Sequence, residues 1–366
     1  MVEYIVFLTI NVGLYSIFAL GLNLQWGICG LINFGLVAFM LLGSYATVLL
    51  SVNGVPIILA VTIGAFLAGL LGLLIGFSTL KLREDYLSIV TIGVAETLRL
   101  LVQNQQKLTR GTFGVQSFPL PFASWEPNFF FKLVLIAVLT FLAIWTTSQI
   151  VQNMQKRFRN KPSSSSKQLL FFGLVAILSI MLTLLIYVNG IFAISNYDYK
   201  AGLMVLELIV LFVIYWGLEF LINSPWGRVL KAIREDEEVS KALGKNVFFY
   251  KLQAFLLGGA IAGIAGSFFA WQLTTIYPSN FDSLLTFNAW IIVVLGGAGS
   301  SAGTVLGAII FWLYDSLTRF LPMSGFLNES QVAALRIMLI GLILICLMML
   351  RPQGILGKKD ELTLNK

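Results

Sequence analysis

An all-α polytopic membrane protein is the fold this sequence predicts, on two observations. Its 366 residues are 58% hydrophobic and only 11% charged, with a mean hydropathy of +0.89, whereas soluble domains carry about 25% charged residues. A chain this poor in charge cannot hide its apolar surface from water by folding alone. The apolar runs are also continuous and membrane-length, where a transmembrane β-barrel would show short alternating segments.

Apolar windows fall near residues 4–25, 28–50, 56–80, 86–102, 130–151, 168–190, 201–223, 251–273, 284–298, 303–322 and 333–350. A spanning helix needs about 20 residues, in a range of about 17–25. The windows at 28–50 and 284–298 are Gly-rich or short, and either can be a broken or re-entrant element, so the expected count is roughly nine to eleven spans. The N-terminus MVEYIVFLTI has Glu3 and no Lys or Arg before its apolar run. It reads as a first membrane helix, not a cleaved signal peptide.

The net charge of +7 and the pI near 9.4 are explained by basic residues in cytosolic loops, with no nucleic-acid partner. Lys156, Arg157, Arg159, Lys161 and Lys167 stand in an acid-free stretch, so 152–167 reads as a basic, Ser-rich cytosolic linker. Arg228, Lys231, Arg234, Lys241, Lys245 and Lys251 place a second segment in the cytosol, and Arg351, Lys358 and Lys359 the C-terminal tail. The loop 103–128 then faces outward. One membrane domain over 1–366 is expected, embedded in lipid.

The chain has no histidine, the commonest metal ligand and usual general base. Cys29 and Cys346 lie far apart in apolar runs and form no metal or redox pattern. No catalytic residue, metal or cofactor is therefore expected. Small residues recur every fourth position in Ala254, Gly258, Ala262, Gly266 and Ala270, in Gly259, Gly263 and Ser267, in Gly299, Gly303 and Gly307, and in Ala68, Gly72 and Gly76. Such rows lie on one helix face and let backbones approach closely. The alternative is a pore lining.

Polar groups inside the windows are few: Asn11, Asn23, Gln25, Asn33, Tyr45, Glu96, Arg99, Glu207, Glu219 and Asn288. They are costly in lipid and normally face the bundle interior or a water-filled cavity. Asn33, Tyr45, Glu96, Arg99 and Asn288 are the candidates for a substrate path. Glu96 and Arg99, at i and i+3, can instead be a structural pair near an interface.

The polar segment 224–250 has a helical pattern of its own. Ser224 can cap a helix with Pro225 at its first position. Trp226, Leu230 and Ile233 form an apolar stripe at helical spacing. Glu237 and Lys241 make a favourable i, i+4 pair, and Gly244 is a C-terminal stop. The acidic run Glu235-Asp-Glu-Glu238 turns this helix away from anionic lipid and towards a protein groove.

These stretches, in this order, resemble one family. Lys231-Ala-Ile-Arg-Glu-Asp-Glu-Glu238, Ala242-Leu-Gly244 and Tyr250-Lys-Leu-Gln-Ala-Phe255 look like the permease subunits of branched-chain amino acid ABC importers, the LivM type. Gly30-Leu-Ile-Asn-Phe-Gly35, Leu82-Arg-Glu-Asp-Tyr-Leu-Ser-Ile-Val90, Leu108-Thr-Arg-Gly-Thr-Phe-Gly114, Val294-Leu-Gly-Gly-Ala-Gly-Ser300 and Arg351-Pro-Gln-Gly354 are similar to further motifs of that family. Glu84 stands where the family has glycine. About residues 152–200 look like an insertion, which is similar to NatD-type permeases of neutral amino acid importers.

The resemblance implies an ABC importer permease of the LivH/LivM type in the bacterial plasma (inner) membrane. It implies a second, LivH-like permease subunit, two ABC ATPase subunits on the cytosolic side and an extracytoplasmic solute-binding protein. Ile233, Arg234, Glu235, Asp236, Glu237, Lys241, Leu243 and Gly244 would then couple to an ATPase. The chain itself carries no Gly-x-x-x-x-Gly-Lys-Ser/Thr phosphate loop, so it is expected to be a transport subunit and not an enzyme. A permease for urea or another small polar solute, or an ATP-independent secondary transporter, are the alternatives.

Overall fold

The structure, a computed structural model, describes residues 2–80, 84–123, 127–160, 166–196, 199–319, 329–350 and 353–357. Every apolar window is occupied by a helix. These are α1 (Val2–Leu22), α2 (Leu36–Val52), α3 (Ile57–Thr79), α4 (Glu84–Asn104), α6 (Phe129–Asn160), α7 (Ser166–Ser195), α8 (Tyr199–Asn223), α11 (Val247–Leu273), α12 (Ser283–Gly296), α13 (Ser301–Arg319) and α14 (Glu329–Leu350). The polar segments add α5 (Gln106–Thr109), α9 (Pro225–Glu235) and α10 (Glu237–Ala242). Among the described residues, eight helical stretches are long and apolar enough to cross a membrane, and α2 is a shorter apolar helix.

The described chain divides into two compact units. The unit of residues 1–10 and 121–212 is built on α6 and α7. The Lys132 ammonium donates to the Ser195 carbonyl at 2.9 Å, and the Trp145 ring meets Phe212 edge-on at 4.6 Å. Gly190 leaves room for the side chains of Leu139 and Met204. The sequence-expected linker lies partly in this unit, but 161–165 fall outside the described residues.

The unit of residues 11–120 and 213–366 holds the core. Its centre is α11, whose small-residue rows are buried along the helix. A Cβ at Gly263 would sit 2.5 Å from that of Ala68, one at Gly72 would sit 2.8 Å from the Phe255 carbonyl oxygen, and those at Gly43 and Gly266 would strike the facing backbone. These rows are packing surfaces between helices, with several approaches too close for a side chain. The Gly43–Gly263 and Ser44–Gly266 contacts run α2 parallel to α11. The Gly64–Gly43 and Gly72–Phe255 contacts run α3 antiparallel to both. By Thr47, whose hydroxyl lies 2.7 Å from that of Ser267, α2 has climbed most of the length of α11.

The window at 28–50 is broken. After α1 the chain makes a π-helical turn, Asn23–Ile28, and 29–35 follow without regular structure before α2 begins. At the opposite end of α11, a short antiparallel pairing joins Val115–Gln116 to Thr275–Ile276. Gly114, at φ +65°, abuts the Ile276 carbonyl so closely that no side chain fits. Gly297 and Gly354 pack on each other, and Ile355 and Leu356 donate to the carbonyls of Leu295 and Gly296 at 3.1 and 2.9 Å. The late Gly-rich motif and the C-terminal Gly354 are thus two halves of one contact. Arg351 and Pro352 lie outside the described residues.

Replacing Gly263 or Gly266 by leucine forces α11 away from α2 and α3, at a cost of about 1–3 kcal/mol or more. Thermal unfolding in detergent should show a clear fall in Tm. Gly217→Ala, where a Cβ meets nothing within 4 Å, should leave Tm unchanged or raise it slightly.

Candidate functional site

The segment 224–246 folds as two helices, not the single one its pattern suggested. Ser224 caps α9, accepting from the Gly227 amide, with Pro225 in the first turn. Asp236 then takes an extended conformation (φ −154°, ψ 110°) and caps α10 by accepting from the Val239 amide at 3.0 Å. Asp236 cannot both continue α9 and offer its carboxylate to the next helix, and the capping bond wins. Gly244, at φ +74°, ends α10 as expected. The Lys245 amide reaches Ser240 and the Gly244 amide reaches Lys241, closing a Schellman motif.

The apolar stripe faces inward, which corrects its assignment to a partner's groove. Leu230 and Ile233 are buried in this chain, and the Trp226 indole donates to the Gln253 side chain at 2.7 Å. Ile233 is thus an anchor and not part of the exposed face. That face belongs to α10 and its ends: Glu235, Asp236, Glu238, Lys241 and Gly244 are exposed, as are Val239 (55%) and Leu243 (72%). Val239 carries no signal in the sequence pattern, because a helical stripe continued through Asp236 without a break does not include it.

Beside the Trp226–Gln253 bond, two further polar ties hold this pair of helices to the bundle. The Arg234 guanidinium donates to the Gly27 carbonyl at 2.5 Å, inside the π-helical turn. Lys251, at the start of α11, pairs with Glu237 at 2.5 Å, and Lys241 holds the other Glu237 oxygen at 3.1 Å. Between the ties lies a cavity of about 360 Å³, lined by Trp26, Cys29, Ile233, Arg234, Glu237 and Lys251, among others. In the sequence Lys251 is one of the basic residues that place the segment in the cytosol; its pairing across the α10–α11 junction needs the tertiary fold. Partial burial pushes the Glu237 carboxyl up, but its bonds and charge interactions with Lys251 and Lys241 outweigh this and hold it below the ordinary carboxylate value. The hydrogen bonds that the Lys241 ammonium donates to Glu238 and Glu237 hold it above the ordinary lysine value.

The π-turn that receives Arg234 is itself a hub. The Asn23 side-chain oxygen accepts from the Gly299 amide at 2.8 Å. The Gln25 amide donates to the Phe255 carbonyl of α11 at 3.1 Å and accepts from Asn33 at 2.8 Å. Asn33 also accepts from the Gly35 amide at 2.8 Å, and its carbonyl takes the Trp290 indole N–H at 3.1 Å. The Phe34 amide donates to Thr91 of α4, and the Val37 amide to Thr286 of α12. Asn33 is fully buried, and its bonds stitch the broken segment together.

The other membrane polar groups are scattered. Tyr45 is buried beside Phe281, with ring centroids 6.0 Å apart, and Asn288 hydrogen-bonds Tyr15. Glu96 and Arg99 pair with each other on α4 and remain partly exposed, 45% and 24%. On α8, Glu207 is buried, and neither of its oxygens has a hydrogen-bond partner among the described residues.

The family model for the permease component of branched-chain amino acid transport systems matches residues 4–348. The high-affinity branched-chain amino acid transport system permease protein LivM of Escherichia coli K12 is 29% identical over 348 residues, covering 94% of this chain and 68% of that protein. The probable LivM permease of Methanocaldococcus jannaschii is 24% identical over 390 residues, covering 96% of this chain and 92% of that one. The probable LivH permease of the same organism is 26% identical over 175 residues, covering 45% of this chain and 53% of that one. No solved structure matches the chain.

A carboxyl held low in the folded state adds stability that is present above its unfolded value, about 4.5, and is lost as pH falls through the lower folded value. Glu237→Gln removes that contribution. Thermal unfolding of this variant should be less sensitive to acid below about pH 4.5 than that of the wild type.

Proposed function

We propose a function from one premise: the chain belongs to the family of permease components of branched-chain amino acid transport systems. It is a membrane-spanning subunit of an ABC importer for branched-chain amino acids, placed in the plasma membrane. The family match along nearly the whole chain carries this reading. A LivH-like permease is its membrane partner, a solute-binding protein delivers the substrate from outside, and a pair of ATPase subunits binds on the cytosolic side. ATP hydrolysis belongs to those ATPases.

The α9–α10 pair is the element that meets an ATPase. Its exposed face combines the apolar Val239 and Leu243 with Glu235, Glu238 and Lys241, a composition suited to a protein groove. Its inner face supports transmission, because the packed anchors Leu230 and Ile233 and both polar ties move with it. A push on α10 pulls on Lys251, hence on α11. A push on α9 pulls on Gly27, hence on the broken segment that holds α2, α4 and α12.

Uptake of L-leucine by the whole transporter in proteoliposomes, with ATP hydrolysis and ATPase co-purification read in parallel, tests this. Leu243→Asp should release the ATPases, because a charge replaces an apolar contact in a desolvated groove. Arg234→Ala should keep the ATPases bound and hydrolysing while uptake falls about tenfold or more, whereas Arg234→Lys recovers part of it. Leu243→Asp that binds ATPase normally would sink the docking role, and undiminished uptake by Arg234→Ala would sink the transmission role.

A further inference from the structure

We propose that Glu96 and Arg99 form a recognition site for the zwitterionic head of the amino acid, with the substrate carboxylate on Arg99 and the substrate ammonium on Glu96. The proposal rests on the amino-acid import reading above and deepens it.

The pair lies well inside the span Tyr86–Asn104. Glu96 is five residues beyond Thr91, the residue that holds the broken segment, or about 7.5 Å further along the helix. Of the most apolar stretch of this span, only 17% is buried in the chain. Two charges left partly exposed at this depth are expensive against lipid and belong to a water-filled or partner-lined space.

The hydrogen-bond geometry leaves the binding edges open. Arg99 spends Nε and Nη2 on the two Glu96 oxygens. A guanidinium has five N–H donors, so the Nη1–Nη2 edge remains for a carboxylate, which it can hold with two parallel bonds. Each Glu96 oxygen accepts one of these bonds and keeps lone-pair capacity for an ammonium. The substrate head thus adds to the ion pair in the opposite sense, and neither residue has to give up its partner.

Space is available beside the carboxylate. Gly93, one turn before Glu96 on the exposed side of α4, adds no side chain there, and a Cβ would meet nothing within 4 Å.

The charge balance explains the choice of ligand. A zwitterion brings no net charge, so it leaves the balance among Glu96, Arg99 and the nearby Asp282 unchanged, whereas a carboxylate without its ammonium adds negative charge within the membrane, which is costly. Apolar side chains are then sorted elsewhere, and Glu96–Arg99 reads only the head group.

The test uses the assembled transporter in proteoliposomes with its binding protein, reading L-leucine uptake and leucine-stimulated ATP hydrolysis together. E96Q, R99Q and the swap E96R/R99E should each lower uptake about tenfold or more while stimulated hydrolysis continues. The swap re-forms an ion pair, so a purely structural pair would recover wild-type uptake, and that result overturns the proposal. Where a variant fails to assemble, R99K decides, since it keeps the charge and the pairing with Glu96 but loses the fork. A KM for loaded binding protein unchanged in R99K, with kcat also unchanged, overturns the proposal; uptake reduced about fivefold or more supports it. Wild-type vesicles that take up no leucine overturn the import reading and this proposal with it. Wild-type uptake alongside unaffected variants overturns this proposal alone.

Discussion

The structure of the larger unit depends on satisfying the backbone of one broken helix. Non-helical chain inside a membrane protein leaves N–H and C=O groups that lipid cannot satisfy. Residues 29–35 and the first turn of α2 present such groups, and side chains from separate helices meet them. Thr91 of α4 takes the Phe34 amide, Thr286 of α12 takes the Val37 amide, and the Trp290 indole takes the Asn33 carbonyl. Gln25 completes the set by reaching both Asn33 and the Phe255 carbonyl of α11. Four helices are thereby committed to one place, and none can move without disturbing the others' bonds.

That arrangement gives the cytosolic segment something to act on. Arg234 reaches the Gly27 carbonyl within the π-turn, and Lys251 ties α10 to the first turn of α11 through Glu237. From the π-turn the bonded chain continues through Gln25 and Asn33 to Thr91, and α4 carries Glu96 and Arg99 just beyond. The close packing of α11 on α2 and α3 complements this. Where backbones touch through Gly43, Gly72, Gly263 and Gly266, no flexible side chains lie between the helices to absorb a displacement. Rigid contacts of this kind favour discrete rearrangements over gradual deformation.

Much of this was legible in the chain. Each apolar window became a helix because membrane-length apolar runs have few other ways to satisfy their backbone. The caps Ser224 and Pro225 and the stop at Gly244 read correctly because local bonds decide them. The small-residue rows announced close packing, and the broken window at 28–50 announced itself through its glycines. The outward stripe on α9 was misread for a physical reason. Amphipathicity shows which face is apolar but not whether the chain's own bundle or a partner covers it. Asn33 illustrates the same limit, since its bonds to Gln25 and Trp290 leave no local pattern in the sequence.

By itself the sequence determined the helices, their lengths, the polar island between α8 and α11, and the family, since these follow from composition, periodicity and ordered motifs. Only the tertiary structure decided which of those parts meet. The early Gly30–Gly35 motif closes on Thr91, the Gly-rich turn at 297 closes on Gly354, and Lys251 reaches back to Glu237. Such pairings join residues far apart in the chain. They are set by which buried donors and acceptors come within bonding distance once the helices pack, and no local pattern in the sequence records that distance.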